Sequence, residues 1–421
     1  AYLAVGLLDS LHYRPALDKP GPQGQTVYSV EILSLLDTLA AGLKQRQERT
    51  YSAPFATRAY AMETVEIPGT AGAPATQKRE YPRLQHGGRH LANEADRPRD
   101  IAVSGLQGFA LAFLFWWAVA ALVAAGVARH SGVDVGEATR RIWRGESGIP
   151  WRAALIALGV LCAIAGPVLA WCTKYHVLGT DKVGQDVLLL ALKSIRTGLV
   201  IGTLTTLVLL PLAVSAGVCA GYFRGWIDDL VQYVYTTLNS IPGVLLIAAS
   251  VLLMQVYIDT HPELFPTAVQ RADLRLLFLC IILGLTSWTG LARLLRGEVL
   301  KLRELEYVQA AQAFGVGHGR ILSRHVLPNV MHVVLISLVL DFSGLVLAEA
   351  VLSYVGVGVD PSMTSFGTMI NAARLEMGRE PMVWWSLSAA FVFMFVLVLA
   401  ANLFADAVRD AFDPRVRVTG K

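Results

Sequence analysis

Charged side chains are scarce in this chain of 421 residues. Asp, Glu, Lys and Arg make up 16% of it, 54% of the residues are hydrophobic, and the mean hydropathy is +0.50. Ordinary soluble domains carry about 25% charged residues, so a typical water-soluble domain is excluded. The net charge of +4 is spread over short stretches between apolar runs, and it does not form the basic face that a nucleic-acid partner needs.

Cysteines are few, and nucleotide-binding and catalytic motifs are missing from the sequence. All four cysteines lie within or at the ends of apolar runs: Cys162, Cys172, Cys219 and Cys280. A reduced cysteine in such a run behaves as a small hydrophobic residue, so no disulfide framework is indicated. The sequence has no G-x-x-x-x-G-K-[ST] phosphate-binding loop, and no nucleophile with a base, or metal cluster, stands in its apolar runs. We therefore expect neither a catalytic site nor a cofactor on this chain.

Long apolar runs are abundant by contrast, and each can be compared with the thickness of a membrane. A helix needs about 20 apolar residues to cross the hydrocarbon layer. Residues 1–11 are a shorter apolar fragment, which we expect to be the end of an eighth, truncated span. The sequence therefore predicts an all-α polytopic membrane protein. Seven runs qualify, two of them short: Phe109 to Ala128, Ala153 to Cys172, Gly198 to Phe223, Ile241 to Ile258, Leu276 to Ala292, Val330 to Leu352 and Val383 to Ala405.

The loops between the spans predict which ends lie in the cytoplasm, because short loops rich in Lys and Arg stay inside. The loop between the first two predicted spans carries five arginines: Arg129, Arg140, Arg141, Arg144 and Arg152. Counting crossings from this loop places residues 304–329 and the tail, residues 416–421, in the cytoplasm. Residues 12–108 then form an extracytoplasmic insertion. In it we expect one or two helices, one of them over residues 30–43, and little core of its own.

Residues 304–329 interrupt the apolar sequence with a polar stretch that contains several glycines. Its first half is a good helix former, and Gly315 is suited to the left-handed turn that ends a helix. A second short amphipathic piece follows at residues 320–325. Pro328 is expected to close the unit, because it lacks a backbone donor and disfavours helix before it. This pattern predicts a helix, a sharp turn, a short helix and a stop, which together form a rigid projection able to fit a groove on a cytoplasmic partner.

The small and helix-ending residues of this stretch follow a fixed order: Ala310-Ala311, then Gly315, then His325-Val326-Leu327-Pro328. This spacing resembles the EAA loop of permease subunits in binding-protein-dependent ABC importers. In that family the loop is the coupling helix that docks on the ATPase subunit. The resemblance implies a set of coupling residues: Gln309, Ala310, Ala311, Gly315, Gly317, Arg320, Arg324, His325 and Pro328. Gln309 stands where the family usually has Glu.

Three further segments are similar to the C-type permease subunit of the dipeptide, oligopeptide and nickel branch: residues 176–188, 347–370 and 402–415. Gln185 stands where that branch usually has Arg. The resemblance covers about residues 176–415. It implies a type I ABC importer transmembrane domain of about six core helices over residues 174–415. Two additional transmembrane helices, with the basic cytoplasmic loop between them, occupy residues 109–173.

The resemblance also implies partners and a cargo. The chain is expected to pair with a homologous permease, as a heterodimer in the bilayer of the bacterial inner membrane. Two ATP-binding subunits, which carry ATP and Mg, are expected to drive it, and an extracytoplasmic solute-binding protein to deliver the solute. Peptides are the first cargo implied, and nickel or another small solute is the alternative. An ion-coupled secondary transporter predicts inverted repeats and several membrane-centre charges, which the sequence does not show. A membrane-embedded enzyme would need the catalytic constellation noted above as missing.

A few residues inside the predicted spans have two interpretations. Asp341 and Glu349 are acids in an apolar span, where a charge is costly, so they are candidate pore or gate residues. Glu349 is near the outer end, so a place at the membrane interface is its alternative. Gly217 and Gly221 allow two helices to approach closely, either at a seam with a partner permease or within this chain.

The insertion contains one pair of residues with the spacing of metal ligands, His86 and His90. No third ligand stands nearby, so a solvated loop is the expectation. The insertion lies where a solute-binding protein would dock, and contact with that protein or capping of the pore mouth is one hypothesis. A structural role, or a partner in the cell envelope, is the other.

Overall fold

The computed structural model describes residues 2–13, 16–20, 26–28, 33–67, 76–265 and 267–412. Helices dominate these ranges. In chain order they are α1 (Tyr2–Ser10), α2 (Leu35–Leu39), α3 (Ala41–Lys44), α4 (Arg97–Ser131), α5 (Val135–Arg144), α6 (Trp151–Cys172), α7 (Val187–Phe223), α8 (Trp226–Ser240), α9 (Gly243–Thr260), α10 (Ala268–Arg303), α11 (Glu306–Ala313), α12 (His318–Ile321), α13 (Leu327–Val355), α14 (Phe366–Glu376) and α15 (Trp385–Phe412). The strands are β1 (His12–Tyr13), β2 (Ala16–Pro20), β3 (Thr26–Tyr28), β4 (Leu33–Ser34), β5 (Glu63–Ile67) and β6 (Thr76–Glu80), and they pair antiparallel as β1 with β4, β2 with β3 and β5 with β6.

Seven of the described helices are long and apolar enough to cross a membrane, with mean hydropathies of 1.8 to 2.4 over their most apolar windows. They are α4, α6, α7, α9, α10, α13 with the residues just before it, and α15. The seven predicted spans are therefore confirmed. The helices extend beyond the apolar runs: α10 has 36 residues, or about 54 Å at 1.5 Å per residue, whereas the hydrocarbon layer is about 30 Å thick. Its polar end therefore projects past the membrane.

The chain divides into two compact units. Residues 39–189 form the N-proximal unit, and residues 1–38 with 190–421 form the core unit. This division differs from the boundaries drawn on the sequence. The family-like segment at residues 176–188 belongs to the same compact unit as most of the insertion, and the first part of the insertion belongs to the core unit.

Two glycines bring the additional spans α4 and α6 of the N-proximal unit together. A Cβ atom on Gly166 would lie 2.6 Å from the carbonyl oxygen of Gly108, and one on Gly108 would collide with the carbonyl of Gly166. Such mutual contact between small residues is a common way for helices to associate in a bilayer, where van der Waals packing replaces the hydrophobic driving force. The Trp171 indole N–H on α6 adds a hydrogen bond to the Ile101 carbonyl on α4, at 2.8 Å.

The insertion has more strand than its sequence predicts, and part of it packs on the segment that follows α6. Backbone hydrogen bonds join it to the segment after α6: Phe55 N–H donates to the His176 carbonyl at 3.0 Å, and Gly88 N–H donates to the Lys174 carbonyl at 2.9 Å. Several of its side chains are buried there, including Tyr51 and Leu84. These contacts are with residues outside the insertion, so the prediction that it has little core of its own still stands as a prediction. Local periodicity does not report contacts with residues about 90 positions or more away.

The continuous helix predicted over residues 30–43 is wrong for the part that the structure describes, while residues 30–32 lie outside the described residues. A two-residue strand is followed by α2 and, after a break at Ala40, by α3. Ser34 and Asp37 explain where α2 begins. The Ser34 hydroxyl accepts from the Asp37 N–H at 3.0 Å, and the Asp37 carboxylate accepts from the Ser34 N–H at 3.3 Å, which is the reciprocal pattern of a capping box.

In the core unit, the close approach predicted for Gly217 and Gly221 occurs between α7 and α10. A Cβ atom on Gly217 would lie 2.6 Å from the Ala292 carbonyl oxygen, and one on Gly221 would lie 2.8 Å from the Arg296 carbonyl oxygen. The interpretation as packing within the chain is confirmed. An apolar cluster of buried residues from α7, α10, α11, α12 and α13 continues from this contact toward the projecting end of α10.

Candidate functional site

Residues 304–329, the coupling segment, begin where α10 ends. Helix α11 follows, and a turn over residues 314–317 leads to α12. Five residues with π-helical hydrogen bonding, Leu322–Val326, then join α12 to α13. The predicted helix, turn and short helix are therefore present.

Gly315 makes the sharp turn. Its φ of +74° lies in the left-handed region, where glycine avoids the steric cost of a side chain. The Gly315 N–H donates to the Gln312 carbonyl at 3.0 Å, and the Val316 N–H donates to the Ala311 carbonyl at 3.0 Å. These paired bonds are a Schellman-type helix ending. The predicted role of Gly315 in ending the helix is confirmed.

Pro328 does not close the unit as its sequence position predicts. It lies in the first turn of α13, and the helical path runs from His318 to Val355. A proline lacks the backbone N–H, but in the first turn of a helix that N–H would have no acceptor within the helix. The π-helical stretch before Pro328 provides room for its ring. The coupling segment is thus continuous with a membrane-spanning helix at its C-terminal end.

Three aliphatic side chains fix the coupling segment to the membrane helices. Val308 of α11, Ile321 of α12 and Val326 of the π-helical stretch are each 0% exposed and belong to the same apolar cluster as Leu295 and Val299 of α10. Burying an aliphatic side chain of this size contributes about 1.5–3 kcal/mol. Because both short helices share one core with the spans, the segment is expected to move with them as a rigid body.

Tyr222, near the end of α7, adds polar contacts to both short helices. Its hydroxyl lies 2.9 Å from His318 Nδ1 and accepts from the Gln312 amide at 3.3 Å. The Tyr222 carbonyl accepts from the Arg303 guanidinium at 2.9 Å. The turn between α11 and α12 is therefore held from both sides by one residue of α7. Sequence reasoning missed Tyr222, because it stands about 90 residues from the segment.

Most of the implied coupling residues face outward. Gln309, Ala310, Gly315, Gly317, Arg320, Arg324 and Pro328 are exposed, and Ala311 and His325 are partly buried. Gln309, which replaces the usual Glu, donates from its side-chain amide to the Glu304 carbonyl at 3.2 Å. Phe314 projects farthest: it is 87% exposed, more than any other large hydrophobic side chain in the described ranges. Sequence reasoning did not single it out, although an aromatic residue directly before a helix-ending glycine was a usable signal.

The two acids in the span after the coupling segment have different surroundings. Glu349 is 2% exposed, and its carboxylate accepts from Ser353 Oγ at 2.6 Å and from Ser365 Oγ at 2.9 Å. It therefore connects α13 to the residue that caps α14, in the interior of the chain. Asp341 is partly buried, and within the described residues it has no hydrogen bond or ion pair. Of the two, Asp341 remains the candidate for a water-filled pathway.

The family-like segment at residues 176–188 centres on a buried charged cluster in the N-proximal unit. His176 Nδ1 lies 2.8 Å from Asp186, and Nε2 lies 3.4 Å from Glu48. Glu48 also accepts three backbone N–H bonds, from residues 85–87, at 2.8–3.1 Å. Gly184 has a φ of +76°, and a Cβ atom there would collide with the Glu48 backbone.

Burial and charge pairing shift the pKa values of His176 and Glu48 in opposite directions. Burial lowers the pKa of His176, but the hydrogen bond with Asp186 and the negative charges of Asp186 and Glu48 outweigh it and raise the pKa to about 9. Burial raises the pKa of Glu48, but the nearby His176 ring and the hydrogen bonds from the three N–H groups outweigh it and lower the pKa to about 2. The cluster therefore holds His176 as a cation and Glu48 as an anion at neutral pH.

These shifts predict how the stability of the protein depends on pH. Relative to the ordinary pKa values of 6.5 and 4.5, the His176 contribution is complete below about pH 6.5 and is lost as pH rises through about 9, while the Glu48 contribution is complete above about pH 4.5 and is lost as pH falls through about 2. We expect the wild-type melting temperature to fall between pH 6.5 and pH 10, with up to about 3 kcal/mol of stability lost from His176.

The variant His176→Gln removes this titration. Its melting temperature should be lower than that of the wild type at pH 6 and should change less with pH. Thermal melts in detergent test this, with the exposed His130→Gln as a matched control; parallel wild-type and His176→Gln profiles would contradict it.

Of the two histidines with metal-like spacing, His90 has a carboxylate partner for its ring. His90 Nε2 lies 2.8 Å from Asp100, which also accepts from Lys174 Nζ and the Tyr175 hydroxyl, each at 2.8 Å. The His86 backbone N–H donates to Glu48. Across the part of the chain that the structure describes, no group of three or more His, Cys, Asp or Glu side chains is arranged to hold a metal ion.

Comparisons with known proteins identify relatives of this chain among transport proteins. The family described as "Binding-protein-dependent transport system inner membrane component" matches residues 213–418. An oligopeptide transport system permease protein of Mycobacterium tuberculosis is 31% identical over 66% of this chain and 94% of its own length. A glutathione transport system permease protein of Pectobacterium atrosepticum is 31% identical, over 58% of this chain and 73% of its own. A dipeptide transport system permease protein of Lactococcus lactis is 30% identical, over 57% of this chain and 64% of its own.

Proposed function

Because this chain belongs to the family of inner-membrane components of binding-protein-dependent transport systems, we propose that it forms half of a transmembrane pathway through which peptides enter the cell. It is a multi-pass permease subunit of an ATP-driven importer, and ATP hydrolysis belongs to partner ATPase subunits. The names of the related proteins refer to oligopeptides, dipeptides and glutathione, which supports peptides as the cargo over nickel.

The partners follow from this class of transporter. ATPase subunits and an extracytoplasmic solute-binding protein work with such permeases. The proposal adds that the other half of the pathway is a homologous permease, so that the membrane part is a heterodimer. It also adds that two ATP-binding subunits, with ATP and Mg bound on them, drive the pair.

The observation that carries the proposal is the rigid attachment of the coupling segment. Its two short helices share an apolar cluster with α7, α10 and α13, and its C-terminal end continues into α13. A displacement of the segment by an ATPase subunit is therefore transmitted to three spans together. ATP binding can then favour one of two arrangements of the helix bundle, provided that the ATPase contacts the segment differently in each.

Cysteine cross-linking tests whether the coupling segment contacts the ATPase. The four native cysteines are replaced by alanine, and Ser323→Cys introduces an exposed thiol on the segment. We expect a short bifunctional reagent to link this position to an ATPase subunit in the assembled transporter, and ATP to change the yield. Glu146→Cys, an exposed position on the other predicted cytoplasmic loop, is the control. Cross-linking at Glu146→Cys with none at Ser323→Cys, in a complex that transports, would overturn the proposal.

A further inference from the structure

The basic loop between the additional spans contains a short amphipathic helix, α5, that the proposed function does not use. The Asp134 carboxylate accepts the Gly136 N–H at 3.1 Å at its start, and Gly145 ends it in the left-handed conformation. Ala138 and Ile142 are 0% and 1% exposed, and Ile142 packs in a cluster with residues of α4 and α6. Helix α5 is therefore fixed along the inner ends of both spans, at the predicted cytoplasmic boundary of the membrane.

An apolar groove of about 290 Å³ lies between α4 and α5. Its walls come chiefly from aromatic and aliphatic side chains: Trp116 and Trp117 of α4, Val135, Thr139 and Trp143 of α5, and Leu155 of α6. The Trp116 indole is fixed by a hydrogen bond to the Leu155 carbonyl at 2.8 Å. Trp117, Val135 and Trp143 remain 43–62% exposed. A groove with so few polar partners is a poor site for ordered water and a good one for an acyl chain.

Exposed arginines stand on the three helices that form this groove. In α5, Arg140 is three residues before Trp143 and four before Arg144, so Arg140 neighbours both side chains on the helix surface. Arg129 and Arg152 stand in the last turn of α4 and the first turn of α6. None of these four arginines has a carboxylate partner within the described ranges, whereas Arg141 pairs with Glu137. Exposed guanidinium groups without carboxylate partners, on the helices that line an apolar groove, suit an occupant that carries an anion and a hydrocarbon chain on one molecule.

We propose that this groove binds an anionic phospholipid of the cytoplasmic leaflet. Its acyl chain lies against Trp116, Trp117 and Trp143, and its phosphate is held by Arg140 and Arg144. Phospholipid is favoured over a soluble protein partner because α4 and α6 are membrane-spanning, so the groove opens toward the acyl-chain region as well as toward the headgroups. Juxtamembrane arginines also attract anionic lipids strongly at this boundary.

Fluorescence quenching by brominated lipid tests the proposal on the whole transporter in nanodiscs. The chain has nine tryptophans, so the Trp143 signal is isolated as the difference between wild type and Trp143→Phe. Phosphatidylglycerol or phosphatidylcholine with a dibrominated acyl chain is titrated into each. We expect the Trp143 site to prefer phosphatidylglycerol by about tenfold, and Arg140→Gln/Arg144→Gln to abolish the preference.

A matched pair of charge removals controls for net charge. Arg89→Gln/Arg99→Gln removes two exposed arginines of the same unit on its other side, and it should keep the preference. Arg140→Lys/Arg144→Lys should retain part of it, which distinguishes lost charge from lost folding. Equal quenching by the two lipids in wild type, or an unchanged preference in Arg140→Gln/Arg144→Gln, would overturn the proposal. Capture of a protein subunit, instead of lipid, by a photoreactive residue at Val135 would do so as well.

Discussion

Replacing Phe314 with alanine is expected to reduce ATP-driven uptake by about tenfold or more while the chain stays folded. The ring is 87% exposed in this chain, so its removal takes nothing from the internal packing. A rigidly presented aromatic side chain is a typical hot spot when a partner buries it, and truncating such a residue commonly costs 2 kcal/mol or more, as an order of magnitude. The measurements are uptake by the reconstituted transporter and the affinity of the permease pair for its ATPase subunits.

Two companion variants separate docking from folding. Phe314→Tyr keeps the ring and should transport nearly as the wild type does, and Ser323→Ala, an exposed position on the same segment, should be neutral. The melting temperature of Phe314→Ala in detergent should equal that of the wild type. If Phe314→Ala assembled and transported normally, the coupling segment would not dock through its most exposed side chain, and that part of the mechanism would be wrong.

Replacing Gly217 with leucine is expected to prevent assembly of an active transporter. The new Cβ would lie 2.6 Å from the Ala292 carbonyl oxygen and 2.8 Å from Leu295 Cβ. A backbone carbonyl of a long helix has no room to move, so α7 and α10 must separate and disturb the apolar cluster that holds the coupling segment. Overpacking of this kind costs about 3 kcal/mol, and we expect the melting temperature to fall by several degrees. Thermal melts and the yield of the purified complex measure the effect.

Gly126→Leu is the matched control for this change. It introduces the same side chain into membrane-spanning helix α4, at a glycine where an added Cβ meets nothing within 4 Å, so melting and yield should stay close to wild type. The melting temperature and yield of Gly217→Ala should lie between those of Gly217→Leu and Gly126→Leu, because alanine adds only the Cβ atom that meets the Ala292 carbonyl. Normal melting and transport in Gly217→Leu would show that the α7–α10 contact is not needed for assembly.

The coupling segment shows how far local sequence carries a prediction. The turn at Gly315 follows from the glycine itself, since its backbone bonds are formed with residues three and five positions away. The position of Pro328 in the first turn of α13 could not be predicted from the local sequence. A proline has the same local effect whether it ends one helix or begins another, and here the π-helical stretch before it decides between the two. For Phe314 the sequence offered a local signal, an aromatic residue directly before a helix-ending glycine, but the extent of its exposure depends on which side of α11 packs on α7 and α10.

The sequence by itself determined the seven spans found in the described residues and the class of protein. In a bilayer every backbone polar group must be bonded within its own segment, so an apolar run of about 20 residues has essentially one structure available. The motifs of the coupling segment identified the family for a similar reason: they are local and continuous. Neither result needed a contact between distant residues.

Tertiary structure alone decided which polar and small residues are structural. Glu349 lies in an apolar run, but only the approach of Ser365 from α14 makes it an internal connection between helices. Asp186, ten residues along the chain, is the nearer partner of the buried His176 cation, but the second carboxylate, Glu48 from the insertion, reaches it across more than a hundred residues. Such contacts depend on how whole helices and loops pack. The free energy of burial that stabilises each contact comes from both residues together, so the sequence pattern of one segment cannot predict it.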